Sequence, residues 1–201
     1  VNSDSTLLWP DGKLLFMSIK VTIGMFPSTP LQNFELRILA DRCTDAVQKL
    51  GYFRQEATAW LTEAMADCIN HDWRKLLAQG ELLTDRDKWD FDIVGTPRLG
   101  WETWVALTPA GKADPKRAVE VSYRRIVTGF YLRRRSAEIM EHDDFLASRW
   151  QYEITVLEKP CRAVARKVGK HFIAGKHPVL PLDNCQRQYC VCTYRQVKVE
   201  R

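Results

Sequence analysis

The chain has 201 residues, is 45% hydrophobic and 27% charged, and carries 30 Lys and Arg against 25 Asp and Glu; this supports one sizeable packed core and excludes a chain too polar to fold. Its longest apolar runs, such as Leu14-Leu15-Phe16-Met17, fall far short of the roughly 18 residues that a membrane-spanning helix needs, so no membrane partner is expected. The net charge of +5 is uneven, with acids dominating from Arg54 to Gly95 and bases from Lys112 onward, a pattern that permits an anionic partner without requiring one.

Val1 to Pro10 has no basic n-region and no small-residue cleavage site, so the reading places the protein in the cytosol. Residues 1–16 read as a dispensable extension ahead of Met17, residues 17–157 as an α+β core, and residues 158–201 as a C-terminal helix with a cysteine-rich hairpin. From Ser18 to Met25, Ile19, Val21 and Ile23 alternate with Lys20 and Thr22, the period of a half-buried strand. Thr29 and Pro30 then open a helix in which Leu36, Leu39, Cys43, Ala46, Val47 and Leu50 recur every three or four residues until Gly51. A second helix is expected from about Arg54 to Gln79, with Gly80 as its stop. The two make a helical hairpin meeting through Leu39, Cys43, Ala46, Trp60, Ala64 and Cys68.

The period then changes. Trp89, Phe91 and Ile93 alternate with Asp90 and Asp92, a turn covers Gly95 to Gly100, and Trp101 to Leu107 reads as the return strand of a β-hairpin. Asp114-Pro115 opens a helix bearing Val119, Tyr123, Ile126, Val127 and Phe130, although Val119, Val121 and Tyr123 also fit a strand. Ser136 to Trp150 reads as helical in part. Tyr152, Ile154 and Val156 give a strand, Pro160 starts a short helix through about Ile173, and Val197 and Val199 alternate at the end of the chain. Strands at both ends with helices between them predict an α+β fold, a helical hairpin packed on a largely antiparallel sheet.

Chemistry concentrates in the last fifth of the chain. Cys185, Cys190 and Cys192 fall within eight residues, and Cys161 sits at the start of the predicted Pro160 helix. In a reducing cytosol these are thiols, thiolate ligands or redox groups rather than structural disulfides. Zinc needs four soft or borderline ligands in a tetrahedron. A tight loop can supply three thiolates while Cys161 completes the shell, with His171 and His177 in reserve. The expectation is one structural zinc; the alternatives are small thiols filling a terminal hairpin, or a redox pair at Cys190 and Cys192, for which the CxxC hallmark is absent.

The stretch from Cys161 to Tyr194 resembles the C-terminal segment of short uncharacterised proteobacterial proteins, in which a cysteine-led helix is followed by P-x-L-P-L-x-x-C-x4-C-x-C-x-Y. Here Pro178, Leu180, Pro181, Leu182, Cys185, Cys190, Cys192 and Tyr194 fill that pattern. Arg195-Gln196-Val197 departs from the His/Asp/Arg-rich tail of those proteins. The resemblance implies that the cysteines act as a unit and implies no activity.

Three function classes follow. The first is a small interaction or regulatory protein with a zinc-held cysteine knuckle and an unknown protein partner. The second is a nucleic-acid-binding module using Arg124, Arg125, Arg133, Arg134 and Arg135, with Tyr123, Phe130 and Tyr131 interleaved for stacking. The third is a thiol redox or metal-dependent enzyme, for which no P-loop, G-x-S-x-G or H-E-x-x-H is present. His71-Asp72 and His142-Asp143, with four histidines in all, are too few to converge as in HD-type phosphohydrolases. Seven tryptophans include Trp89, Trp101 and Trp104 on the predicted hairpin, an aromatic surface if they are not core.

Overall fold

The computed structural model describes residues 31–96, 98–141, 150–156 and 159–198, an α+β fold in which helices come first and an antiparallel sheet last. The strand expected at Ser18 to Met25, the extension at 1–16 and the start signal at Thr29-Pro30 lie outside the described residues. Helix α1 spans Asn33–Leu50. Its first turn is closed by the Gln32 N–H donating to Glu35 Oε2 at 2.9 Å, and its last by Gly51 at φ 67°, a left-handed cap that a Cβ would strain.

The second predicted helix is broken. After a 3-10 turn at Gln55–Ala57, α2 runs over Thr58–Cys68 and α3 over Trp73–Leu77. The break has a local cause, because Asp72 accepts from Arg74 N at 3.1 Å and caps a new helix instead of continuing the old one. The Tyr123 hydroxyl sits among the carbonyls of Cys68, Ile69 and His71 at the end of α2 and shares its one proton with them, while the Cys68 carbonyl also accepts from His71 N. Leu39, Cys43, Ala46, Ala64 and Cys68 are buried as expected, and Trp60 packs against them half-buried. Leu36 departs from the expected apolar face and is exposed.

The predicted β-hairpin at Trp89 to Leu107 is a correction. Asp85–Asp90 forms α4 and Trp101–Ala106 forms α5. Thr84 and Asp87 make a reciprocal capping box that nucleates α4. Trp89 is 85% exposed, so the alternation of aromatic and acidic residues does not record a buried strand face. Trp104 alone of the three hairpin tryptophans is buried, and Phe91 packs against it at 5.4 Å between ring centroids.

Pro109–Lys112 is a short helix α6, and Pro115–Met140 is α7, capped by the Asp114 carboxylate accepting from Arg117 N at 3.0 Å. Its 26 residues, about 39 Å at 1.5 Å per residue, let one helix serve two apolar clusters. Val119, Ile126 and Phe130 close the core built by α1, α2 and α3. Leu132 joins Ile154, Val164, Leu180, Cys190 and Cys192 in a second, smaller cluster. The helical hairpin therefore packs chiefly on α7.

The sheet is three-stranded, in order β2-β1-β3 and antiparallel throughout, with β1 at Trp150–Val156, β2 at His171–Phe172 and β3 at Cys192–Lys198. The helix expected from Pro160 is absent. Residues 162–167 make successive turns, after which Val168 bridges to Ile154 and Gly169, at φ 73°, redirects the chain into β2. Attachment to the β1 edge ends the helical turns there. The terminal hairpin is corrected likewise, since β3 pairs with β1 and not with a neighbouring cysteine-loop strand.

Candidate metal centre in the cysteine knuckle

Strand register brings the cysteines together. Val156 at the end of β1 lies opposite Cys192 at the start of β3, so Cys161, five residues past β1, returns to the place where the cysteine loop enters the sheet. Cys190 precedes β3 by two residues, and Cys185 starts from a turn in which its N–H donates to Leu182 O at 2.9 Å. Cys161 and Cys185 stand 4.0 Å apart, sulfur to sulfur. Cys190 and Cys192 lie in one buried cluster against which Cys161 packs, and Cys190 acts electrostatically on both Cys185 and Cys192. All four predicted cysteines thus lie in one neighbourhood, three of them buried and Cys161 half-buried.

Protonation is graded across that group. The bond to Cys190, then burial, pushes the Cys185 thiol up. At Cys190 the bond to Cys185 works downward, but the bond with Cys192 and burial outweigh it and hold the thiol at about 11. The Cys190 bond stabilises a thiolate at Cys192 and brings its pKa below the ordinary thiol value, although burial opposes this. Among the described residues no group of three or more His, Cys, Asp or Glu is arranged to hold a metal ion. His171, in β2, faces Glu153 at 3.9 Å, and His177 Nε2 lies 2.8 Å from Ser136 Oγ. Neither reserve ligand joins the sulfurs.

The loop is held from the helical side, and three of the five residues read as a nucleic-acid stripe, Arg124, Arg125 and Arg133, reach it. Arg125, its side chain 9% exposed, meets Asp45 through Nε and Nη2 at 2.8 Å each, and its Nη1 donates to the carbonyls of Arg187 and Gln188 at 2.8 and 2.9 Å. Arg133 pairs with Asp183 at 3.1 Å. Arg124 bonds Glu120 at 2.6 Å and lies over the Tyr189 ring. Arg134 meets Glu35 at 3.1 Å, and Arg135 meets Glu138 at 3.0 Å. Each of the five arginines thus has an acidic partner within its own chain, Arg125 in a largely buried pair and Arg124 and Arg135 in exposed ones. Of the interleaved aromatics, Tyr123 and Phe130 are core.

Two further groups shape the knuckle. Tyr194 donates to Pro178 O at 2.6 Å and accepts from Leu180 N at 2.7 Å, clamping the P-x-L-P-L strap over the second cluster. His177 packs edge-on against Tyr194 with its Nδ1 buried and unbonded, and burial lowers its pKa. The motif contained Tyr194 without revealing its bonds. Asp45 carried no local signal, since its partner Arg125 is 80 residues away. His71-Asp72 is accounted for as a helix start, and His142-Asp143 lies outside the described residues.

No protein-family model matches the chain, and neither a curated protein nor a solved structure matches it significantly. Among the described residues no helix is long and apolar enough to cross a membrane.

Proposed function

We propose that the protein is a small cytosolic interaction or regulatory protein whose C-terminal knuckle is held by one structural zinc on Cys161, Cys185, Cys190 and Cys192. One observation carries this reading: sulfurs 24 residues apart in sequence lie at 4.0 Å, against about 3.8 Å between sulfurs of a tetrahedral shell with Zn–S near 2.3 Å. Cys190 and Cys192 lie in the same small apolar cluster that Cys161 packs against, and zinc binding requires side-chain rotation to gather all four sulfurs. Loss of protons to the metal removes the thiol–thiol bonds, and the cation replaces them. A four-thiolate shell is closed and offers water no coordination position, so the role is to brace the fold and not to catalyse. The ties of Arg124 to Arg135 within the chain favour a protein partner over a nucleic acid.

The test is the zinc content of protein purified under reducing, chelator-free conditions. One zinc per chain is expected, lost in Cys185→Ser and Cys190→Ser and retained in Cys43→Ser and Cys68→Ser. Failure to take up zinc after anaerobic reconstitution refutes the reading. Because the helical core has its own apolar cluster, chelation should loosen the sheet and leave most helical signal in place.

A further inference from the structure

Exposed apolar surface is unevenly spread over the described residues. Of the ten large hydrophobic side chains that face solvent, six lie between residues 82 and 105, at Leu82, Trp89, Phe91, Val94, Trp101 and Val105. Single exposed apolar residues are ordinary, but a concentration of them, three aromatic, marks a surface that something covers. The cysteine knuckle and the arginine ties of α7 lie elsewhere and do not account for it.

Local structure aims these side chains outward. The Thr84–Asp87 box starts α4 in a rotation that turns Lys88 inward, its side chain 17% exposed, and leaves Trp89 in solvent. Burial alone would select the reverse. On α5, Trp101 and Val105 stand one turn apart on the same side of the helix, and both are exposed. The Trp101 ring lies 6.1 Å from that of Phe91, and Leu82 bridges to Gly100 immediately before it. Phe91, Trp101 and Val105 therefore share one apolar face with Leu82 at its edge, while Trp89 projects from the neighbouring last turn of α4. The face has a firm base, because Phe91 also meets the buried Trp104 at 5.4 Å.

Charge selects the occupant. In a chain whose net charge is +5, residues 81–105 carry Glu81, Asp85, Asp87, Asp90, Asp92 and Glu102 against only Arg86, Lys88 and Arg98. Asp90 and Asp92 are exposed and have no ion pair among the described residues. Such a surface repels nucleic acid, anionic lipid headgroups and acidic proteins. It suits a segment that brings apolar anchors for the aromatic face and Lys or Arg for the carboxylates, and such cations are also attracted to the faces of exposed tryptophans.

Resting on the interaction reading above but not on its metal, we propose that the α4–α5 surface docks a cationic segment of a protein partner, which seats apolar side chains on Phe91, Trp101 and Val105 and sets Lys or Arg against Asp90 and Asp92. Apolar burial supplies the affinity. The carboxylates supply orientation, speed of encounter and the rejection of anionic competitors.

Selection of a phage-displayed random peptide library on the full chain, followed by anisotropy titration with the labelled peptide it yields, tests this. The selected sequences should combine Lys or Arg with aliphatic or aromatic residues. Trp101→Ser should weaken the peptide roughly 10-fold or more, and Val105→Ser should act in the same direction, which keeps the test decisive where Trp101→Ser fails to fold. Asp90→Asn together with Asp92→Asn should weaken binding and flatten its salt dependence; asparagine tolerates the left-handed φ of 55° at Asp92 as aspartate does. Ile173→Ser, at an exposed apolar residue outside this surface, should leave affinity unchanged. A library that yields no binder, binders that are acidic or uncharged, or binders indifferent to the Trp101, Val105 and Asp variants overturn the proposal. Self-association of the chain that Val105→Ser abolishes overturns it in favour of a second copy as occupant. Zinc content measured on the same protein reports separately on the reading above, so the two fail independently.

Discussion

Replacing Arg125 with Met removes the tie between α1, α7 and the cysteine loop while keeping the side chain's apolar stem. Four bonds are lost: two to Asp45 at 2.8 Å, and one each to the carbonyls of Arg187 and Gln188 at 2.8 and 2.9 Å. The pair is largely buried, its side chains 9% and 17% exposed, and breaking such a pair by removing one partner costs about 3–5 kcal/mol because the other charge is left unmatched. Asp45 keeps Lys49 at 2.9 Å, which places the expected loss near the lower end, about 3 kcal/mol. Urea unfolding at fixed zinc concentration measures it, and Asp45→Asn in a double-mutant cycle should show coupling of at least about 1 kcal/mol. A loss below about 1 kcal/mol, the range of an exposed pair, together with unchanged amide exchange at residues 186–189, would refute the reasoning. A phosphate-reading Arg125 predicts the reverse, with stability unchanged and salt-dependent binding of DNA weakened.

Cys43 and Cys68, buried in the helical core and each pushed up by desolvation to about 12, should react with iodoacetamide at pH 8 about a thousandfold more slowly than a thiol of pKa 9, from thiolate fraction alone; rates equal to those of the unfolded chain would contradict their burial. Both folded-state values lie above the ordinary 9.0, so their contribution is fully present below pH 9 and is lost as pH rises through about 12. Stability should therefore fall by about 1.4 kcal/mol per pH unit per thiol across that window, and Cys68→Ala should flatten the profile measured by urea unfolding; an unaltered slope sinks the assignment. Tyr194→Phe removes the acceptor of the Leu180 N–H and the donor to Pro178 O, an expected loss of about 1–3 kcal/mol with faster exchange of the Leu180 amide; unchanged protection there would show that the strap does not depend on the hydroxyl.

The elements legible in the sequence were those whose signals are local and redundant. Helix α1 has apolar spacing and a Gly51 stop, α7 has Asp114-Pro115 at its start, and β1 has clean alternation through Tyr152 and Ile154. Where alternation came from exposed aromatics beside acids, at Trp89 to Ile93, it imitated a strand although the Thr84–Asp87 box had started a helix. The break at Asn70 to Asp72 was written in a single capping carboxylate, which apolar periodicity on both sides concealed. At the site, the convergence of the cysteines was legible as clustering in sequence. Its cause was not, because it depends on the Val156–Cys192 register and on ties from Arg125 to a loop more than 60 residues away. The acidic partners of the basic stripe escaped notice for the same reason. Charge in sequence does not show which guanidiniums the fold itself consumes.

The central claim, one zinc on four sulfurs, is tested most directly by zinc-edge X-ray absorption on the reconstituted full chain under reducing conditions. The account predicts one zinc per chain with four sulfur neighbours at about 2.3 Å. Zinc with nitrogen or oxygen neighbours in place of any of the four sulfurs, or a chain that retains no zinc, would contradict it.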